Sequence, residues 1–251
     1  MGVPTLIQEQ NSYAGVTNKI LARRAARICT AYEGMERFFP AEKIVLTGNP
    51  LRGGFSKGGV DRREALARFG LTEELPVVLV VGGSLGTRSL NEMMKAWILS
   101  TGGKAPVQVI WQTGKYYERE MQAFLAAHPA AHVWQGGLHR AYGLRLCGGR
   151  SGDFAQRRGD RLGALPRGEA RRFVPSPNVA EDHQTKNARA LERRGRAVVI
   201  PDAECRTRAM PRALELLADR EALAEMSRRL EALARPDAAE RIVDEIVRAM
   251  A

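Results

Sequence analysis

The sequence predicts an α/β protein built on parallel β-sheets, and three observations carry that expectation. Short β-branched runs alternate along the chain with amphipathic stretches of helical length. Val77–Val81 is a run of five apolar residues, the pattern of a strand covered on both faces. A glycine turn, Gly82-Gly83-Ser84-Leu85-Gly86, leads from that strand straight into a helical pattern. The 251 residues suffice for one large domain or two modest ones. With 44% hydrophobic and 27% charged residues, the composition excludes wholesale disorder. Cys29, Cys147 and Cys205 are too few and too far apart for a disulfide framework or a zinc ribbon, and they fit a reducing cytosol. No apolar run approaches the roughly 18–20 residues that span a bilayer, and the N-terminus lacks a signal-peptide layout.

The elements follow in order. Thr5–Gln8 reads as the first strand, with a helix starting near Asn11 or Ser12. Ile28–Tyr32 and Lys43–Thr47 are the next strands, the second ending in the turn Gly48-Asn49-Pro50. Asp61–Phe69 is helical, with Gly70 as its C-cap. After Val77–Val81 and its glycine turn, a helix runs from about Thr87 to Ser100, with Ser84 or Thr87 as a hydroxyl cap. Val107–Gln112 is a strand, Lys115–Ala127 a helix, and Arg196–Ile200 the last clear strand. The final third is helical over about Thr207–Ala218, Arg220–Ala234 and Ala238–Ala249. The last helix opens on a capping box, Asp237 with Glu240. Its apolar stripe, Ile242, Val243, Ile246, Val247 and Met250, requires a buried face.

The net charge is +11, from 39 Lys+Arg against 28 Asp+Glu. Read alone, it suggests a phosphate-rich partner such as nucleic acid or an anionic membrane surface. Its distribution argues otherwise. Residues 139–173 hold nine arginines against Asp153, Asp160 and Glu169, a net +6 in 35 residues. This stretch, with seven glycines, shows no sustained period of 2 or 3.6 where a strand and a helix belong. Its aromatics, Tyr142, Phe154 and Phe173, are too isolated to form stacking platforms for RNA, so no nucleic-acid partner is expected.

Three segments bear on chemistry. The turn Gly82, Gly83, Ser84, Gly86 joins a buried strand to a helix N-terminus, where free N–H groups and the helix dipole favour phosphate. It is not a Walker A loop, and the next strand ends in Gln112-Thr113-Gly114 rather than the acidic residue of a dinucleotide site. A plain tight βα turn explains the glycines equally well. The stretch Pro175–Asn187 is a proline-stiffened loop and helix start, in which Gln184 is placed to hydrogen-bond a sugar; a solvated loop is its simpler reading. Gln8-Glu9-Gln10-Asn11 is a polar cluster at the carboxyl end of a strand, where ligands of open α/β sheets bind. Arg52, just after Gly48-Asn49-Pro50, is a phosphate contact or a lone surface arginine. His128 and His132 have i,i+4 spacing, but Pro129 between them argues against a zinc-binding helix face. No metal, cofactor or nucleophile–histidine pair is expected.

Together these motifs resemble one family. Residues 6–19 (Leu-Ile-Gln-Glu-Gln-Asn-Ser-Tyr-Ala-Gly-Val-Thr-Asn-Lys), 47–52 (Thr-Gly-Asn-Pro-Leu-Arg), 82–91 (Gly-Gly-Ser-Leu-Gly-Thr-Arg-Ser-Leu-Asn), 111–114 (Trp-Gln-Thr-Gly) and 174–188 occur in the order of the MurG family, peptidoglycan N-acetylglucosaminyltransferases that convert lipid I to lipid II. The likeness covers about 1–138 and 174–251. It implies a GT-B fold of two Rossmann-like domains and an inverting, metal-independent transfer of GlcNAc from UDP-GlcNAc at the cytoplasmic face of the inner membrane. Carried across, Ser84 and its glycines meet the diphosphate with Arg52 nearby, Gln184 meets the GlcNAc hydroxyls, and Asn11 projects into the cleft from the N-terminal domain.

Two departures from the family pattern accompany this likeness. The family's histidine-bearing glycine loop does not precede the Glu-Gln-Asn strand, so no catalytic residue is assigned. Residues 1–49 are then expected to be the tail of the acceptor domain, 50–235 the UDP-GlcNAc-binding domain, and 236–251 a helix returning to the acceptor side. The stretch 144–173 reads as a frameshifted segment lacking a sheet strand, an expectation checked by translating the coding DNA in its other frames. The expected function is that of a MurG-like transferase, this chain being an inactive fragment. The alternatives are another GT-B sugar-nucleotide transferase, or a non-catalytic basic binding protein acting through 139–173.

Overall fold

Two parallel sheets organise the chain. The computed structural model describes residues 3–50, 62–83, 85–102, 104–137, 153–155, 171–173, 183–231 and 235–250. The first sheet is formed by β1 (Leu6–Glu9), β2 (Arg27–Thr30) and β3 (Ile44–Leu46) in the order β1-β2-β3, with Leu6 opposite Arg27 and Ile28 opposite Ile44. Helix α1 (Val16–Leu21) links β1 to β2, and its start lies four to five residues beyond the expected one. The buried Glu9 carboxylate is the reason. Its Oε1 accepts the Asn11 N–H at 2.9 Å and its Oε2 the Gly15 N–H at 3.0 Å, so the intervening backbone is satisfied as a loop.

The second sheet contains β4 (Val77–Val81), β5 (Gln108–Gln112), β6 (Val133–Gly136), β7 (Asp153–Ala155), β8 (Arg171–Phe173) and β9 (Ala197–Val199). Its order is β6-β5-β4-β7-β8-β9, parallel throughout. Counted within the sheet this is 3-2-1-4-5-6, the doubly wound arrangement whose strand order reverses between β4 and β7. The helices are α2 (Arg62–Ala67), α3 (Arg88–Thr101), α4 (Glu118–Ala127), α5 (His183–Glu192), α6 (Cys205–Ala218), α7 (Arg220–Glu231) and α8 (Ala238–Met250).

β4 is buried along its whole length. Val78 and Val80 meet Leu90, Met93 and Met94 of α3 and Met210 of α6 on one face. Val77, Leu79 and Val81 meet Leu66, Phe69 and Leu71 on the other. The run of five apolar residues is therefore a strand with helical cover on both sides, as its composition requires.

Three expectations are corrected. The stretch 144–173 does not leave the sheet without a strand: Leu79, Val80 and Val81 pair with Asp153, Phe154 and Ala155, and β8 follows. Parallel pairing uses backbone groups, so a three-residue strand needs no apolar run to announce it. β6 was not expected either, because Gln135 and Gly136 dilute its pattern at the sheet edge. Third, α8 contacts β1 and β2, but most of its apolar stripe faces away from them. Ala238 and Glu245 are its buried residues, with Ile242 and Ala249 half-buried on the same side, whereas Val243, Ile246, Val247 and Met250 are exposed. An ion pair between Arg27 and Glu245 at 3.4 Å, together with the close approach of Gly48 to Arg235 and Ala238, sets that rotation. No helix among the described residues is long and apolar enough to cross a membrane.

Candidate functional site

The glycine turn leaves β4 at the point where strand order reverses, and it is built by interlock with the turn after β5. Gly82 donates its N–H to the Gln112 carbonyl at 3.0 Å, and the Gln112 side-chain Nε2 donates to the Gly83 carbonyl at 2.7 Å. Gly83 and Gly86 sit at φ of 81° and 95°, left-handed values that favour glycine. A Cβ on Gly86 would lie 2.3 Å from the Thr113 carbonyl oxygen, and one on Gly114 would lie 2.0 Å from the Gly86 nitrogen. Both residues must be glycine for the two turns to touch. Behind them, buried Asn91 ties α3 to β5. Its Nδ2 donates to the Thr113 carbonyl at 3.2 Å, and its Oδ1 accepts the Trp111 indole N–H at 3.0 Å.

Thr87 occupies the N-cap position of α3 but does not cap it. Its hydroxyl donates to the Gly82 carbonyl at 2.9 Å rather than to the helix, so the expected hydroxyl cap is corrected for Thr87. The hydroxyl braces the turn instead. Among the described residues no side-chain oxygen caps the first amides of α3, which is the condition for an anion to bind there.

Asn11 lies on the other sheet and is locked in a directional chain of hydrogen bonds. The Ser12 N–H and hydroxyl donate to Asn187 Oδ1 at 2.8 and 2.9 Å. Asn187 Nδ2 donates to Asn11 Oδ1 at 3.1 Å, and Asn11 Nδ2 donates to Glu9 Oε1 at 3.1 Å. A backbone N–H can only donate and a carboxylate can only accept, so the two ends fix the orientation of both amides. One side-chain N–H and one lone pair of Asn11 have no partner among the described residues. Asn187 belongs to α5, one turn beyond Gln184, so this chain joins the β1 loop to the helix on which Gln184 sits.

The structure thus brings Gly82, Gly83 and Gly86 together and attaches Asn11 to α5. Arg52, Ser84, Cys147 and the loop 175–182 lie outside the described residues, and of Gln184 only its place in α5 is described. Sequence reasoning missed Glu9 and Asn187 as partners of Asn11, and Gln112 as a clamp on Gly83. Polar residues in strand and helix patterns were the available signal. A cavity of about 200 Å³ opens between the two sheets, lined by Ser12, Tyr32, Arg37, Arg194 and Arg196 among others. None of the described site residues is among those lining it. Helix α4 ends at Ala127, so His128 and His132 share no helix face, and no group of three potential metal ligands occurs among the described residues.

A doubly wound sheet with its glycine turn at the switch point, facing a second parallel sheet, is the architecture of GT-B glycosyltransferases. The chain superposes on the calicheamicin glycosyltransferase CalG4 with a TM-score of 0.60 at 15% identity, covering 97% of this chain and 68% of that one. It superposes on MurG of Acinetobacter baumannii with a TM-score of 0.76 at 26% identity, covering 98% of this chain and 67% of that one. The profile of the glycosyltransferase family 28 C-terminal domain matches residues 170–242. The UDP-N-acetylglucosamine–N-acetylmuramyl-(pentapeptide) pyrophosphoryl-undecaprenol N-acetylglucosamine transferase of Parabacteroides distasonis is 47% identical over 98% of this chain and 67% of its own length. Its counterpart in Bacteroides fragilis is 43% identical over 99% of this chain and 66% of its own length. The chain belongs to this transferase family, and it spans about two thirds of the length of these relatives.

Proposed function

We propose that the chain binds UDP-GlcNAc and serves the transfer of GlcNAc to lipid I, forming lipid II, at the cytoplasmic face of the membrane. The observation that carries this reading is the clamped glycine turn at the reversal of strand order, beside a helix N-terminus that no described side chain caps. A helix N-terminus stabilises charge that develops on a departing diphosphate, the main electrostatic demand of an inverting displacement at the sugar C1. In this reading Gly82, Gly83, Ser84 and Gly86 hold the diphosphate with Arg52, Gln184 takes the GlcNAc hydroxyls, and Asn11 closes the sugar from the opposite sheet. Residues 1–49 belong to the acceptor side, 50–235 bind the nucleotide sugar, and 236–251 return to the acceptor side. UDP-GlcNAc is expected to raise the unfolding midpoint of the chain and UDP-glucose to raise it less. Equal effects of the two donors favour another sugar-nucleotide transferase, and no effect of either removes the reading. Turnover of UDP-GlcNAc with a lipid I analogue tests the transfer itself.

A further inference from the structure

Strand β5 begins and ends on a buried glutamine, and the two are bonded very differently. Gln108 is satisfied at both ends of its amide. Its Oε1 accepts the Thr72 N–H at 2.8 Å, and its Nε2 donates to the carbonyls of Thr72 and Leu75 at 2.7 and 3.1 Å. Gln112 is fully buried, yet only its Nε2 is used, on the Gly83 carbonyl at 2.7 Å. Its Oε1 is buried with no partner among the described residues. A buried acceptor without a donor is costly, and an apolar side chain at the end of this strand would avoid that cost. What only the amide supplies here is the hydrogen bond to the glycine turn.

We propose that Gln112 is a positioning residue that presets the Gly82–Gly86 turn to receive a nucleotide diphosphate; this rests on the reading that the turn is the diphosphate site. One residue fixes the two peptide groups that flank the Gly82–Gly83 peptide. The Gln112 carbonyl accepts the Gly82 N–H at 3.0 Å, and its side chain holds the Gly83 carbonyl against the sheet. A peptide group is planar, so holding the Gly83 carbonyl against β5 fixes the plane in which that group lies. Thr87 adds the third tie, through the Gly82 carbonyl. The turn is therefore held in place by bonds to its carbonyls, and its shape does not have to be assembled when the anion arrives. Such preorganisation acts on the charged part of the ligand and not on the base.

The test compares ligands that share a base but differ in charge. In the whole chain, Gln112→Met removes the donor and the orphaned acceptor together at nearly constant volume. Titration calorimetry with UDP and with uridine is expected to show UDP affinity falling about tenfold or more, uridine affinity unchanged within about twofold, and the thermal midpoint preserved. Equal losses for both ligands, a retained UDP affinity, or a lowered midpoint with UDP binding intact would each make Gln112 a structural strut and overturn the proposal. A wild-type chain that binds UDP no better than uridine removes the diphosphate reading itself, and this inference with it. Should Gln112→Met not fold, the wild-type chain carries the test. The exchange of the Gln112 side-chain amide protons is then expected to slow when UDP is bound but not uridine, and identical exchange with either ligand overturns the proposal.

Discussion

In the six-stranded sheet, β4 and β5 are buried along their full length, with α3, α6 and part of α4 on one face and Leu66, Phe69 and Leu71 on the other. In the three-stranded sheet a smaller cluster around Ile28, Met35 and Phe39 covers one face, and α8 meets β1 and β2 through Ala238 and Glu245. The difference shows at the surface. Of eleven exposed large hydrophobic side chains among the described residues, eight (Val3, Val16, Ile20, Leu21, Val243, Ile246, Val247 and Met250) belong to residues 1–49 and 236–251. The two sheets therefore rest on unequal foundations. The body carrying the glycine turn has the larger core, and the body carrying Asn11 the smaller one.

The largest effect expected from this contrast is in the large core. Trp111 is fully buried and bonded to Asn91, so Trp111→Ala is expected to cost about 3–5 kcal/mol in urea unfolding. A cost below about 1 kcal/mol would mean that this core is looser than its burial implies. Amide hydrogen exchange measures the contrast directly. The amides of β4 and β5 are expected to be protected at least about 100-fold more than those of β1–β3, because the less covered body opens locally first. Uniform protection would show instead that the two sheets unfold as one unit.

The bonds between the two bodies come next in size. Asn187→Ala removes the donor to Asn11 and is expected to lower UDP-GlcNAc affinity about tenfold, or ~1.4 kcal/mol, with UDP affinity unchanged. Asn187→Asp is expected to be worse, since it sets an acceptor-only group against Asn11 Oδ1 while still accepting from Ser12. If calorimetry shows the two variants binding UDP-GlcNAc like the parent chain, the orientation of Asn11 is not set from α5.

A smaller effect comes from one buried thiol in each body. Burial pushes Cys29 up to about 11, aided by Glu245 and opposed by a hydrogen bond with Thr47, and burial with the charge of Asp202 pushes Cys205 up to about 12. Both values lie above the ordinary thiol value of 9.0, so the folded chain holds these protons more tightly than the unfolded one. The stabilisation is complete below pH 9 and is lost as pH rises through 11 to 12. Unfolding midpoints across that range should fall less steeply in a Cys29→Ala, Cys205→Ala double variant than in the parent. Identical slopes would place the alkaline loss on other groups.

The same contrast explains what the sequence made legible. Val77–Val81 was readable to the residue because all five of its buried side chains are apolar, and its glycine turn because left-handed φ and close approach leave no other choice. β7 and β8 were not readable. Asp153-Phe154-Ala155 and Arg171-Arg172-Phe173 carry no periodic signal, and their places in the sheet are defined by neighbours distant in sequence. The helix expected at Asn11 failed for a related reason. Helical pattern was visible there, but the Glu9 carboxylate that satisfies the loop amides acts across the turn and has no periodic signature. Of the candidate site, the glycines were legible from their own backbone demands. Asn187 and Gln112 act on partners brought near by the fold, which no local pattern records.

The smallest expected effect concerns α8, where periodicity and packing disagree. Val243 and Val247 lie on the stripe that the sequence assigns to a core, yet they are 55% and 60% exposed. Val243→Gln and Val247→Gln should therefore change stability by no more than about 0.5 kcal/mol, as surface substitutions do. Glu245→Ala is the companion measurement. Its carboxylate is buried and pairs with both Arg27 and Arg248, and removing it leaves Arg27, itself 45% exposed, free to turn to solvent. The expected loss is about 1 kcal/mol, modest because a partly exposed ion pair is screened. Should the valine variants instead be costly and Glu245→Ala neutral, α8 sits rotated in solution with its stripe against a partner. The three-stranded body would then owe its stability to apolar cover, as the six-stranded body does, and the contrast between them would narrow to the site-bearing loops.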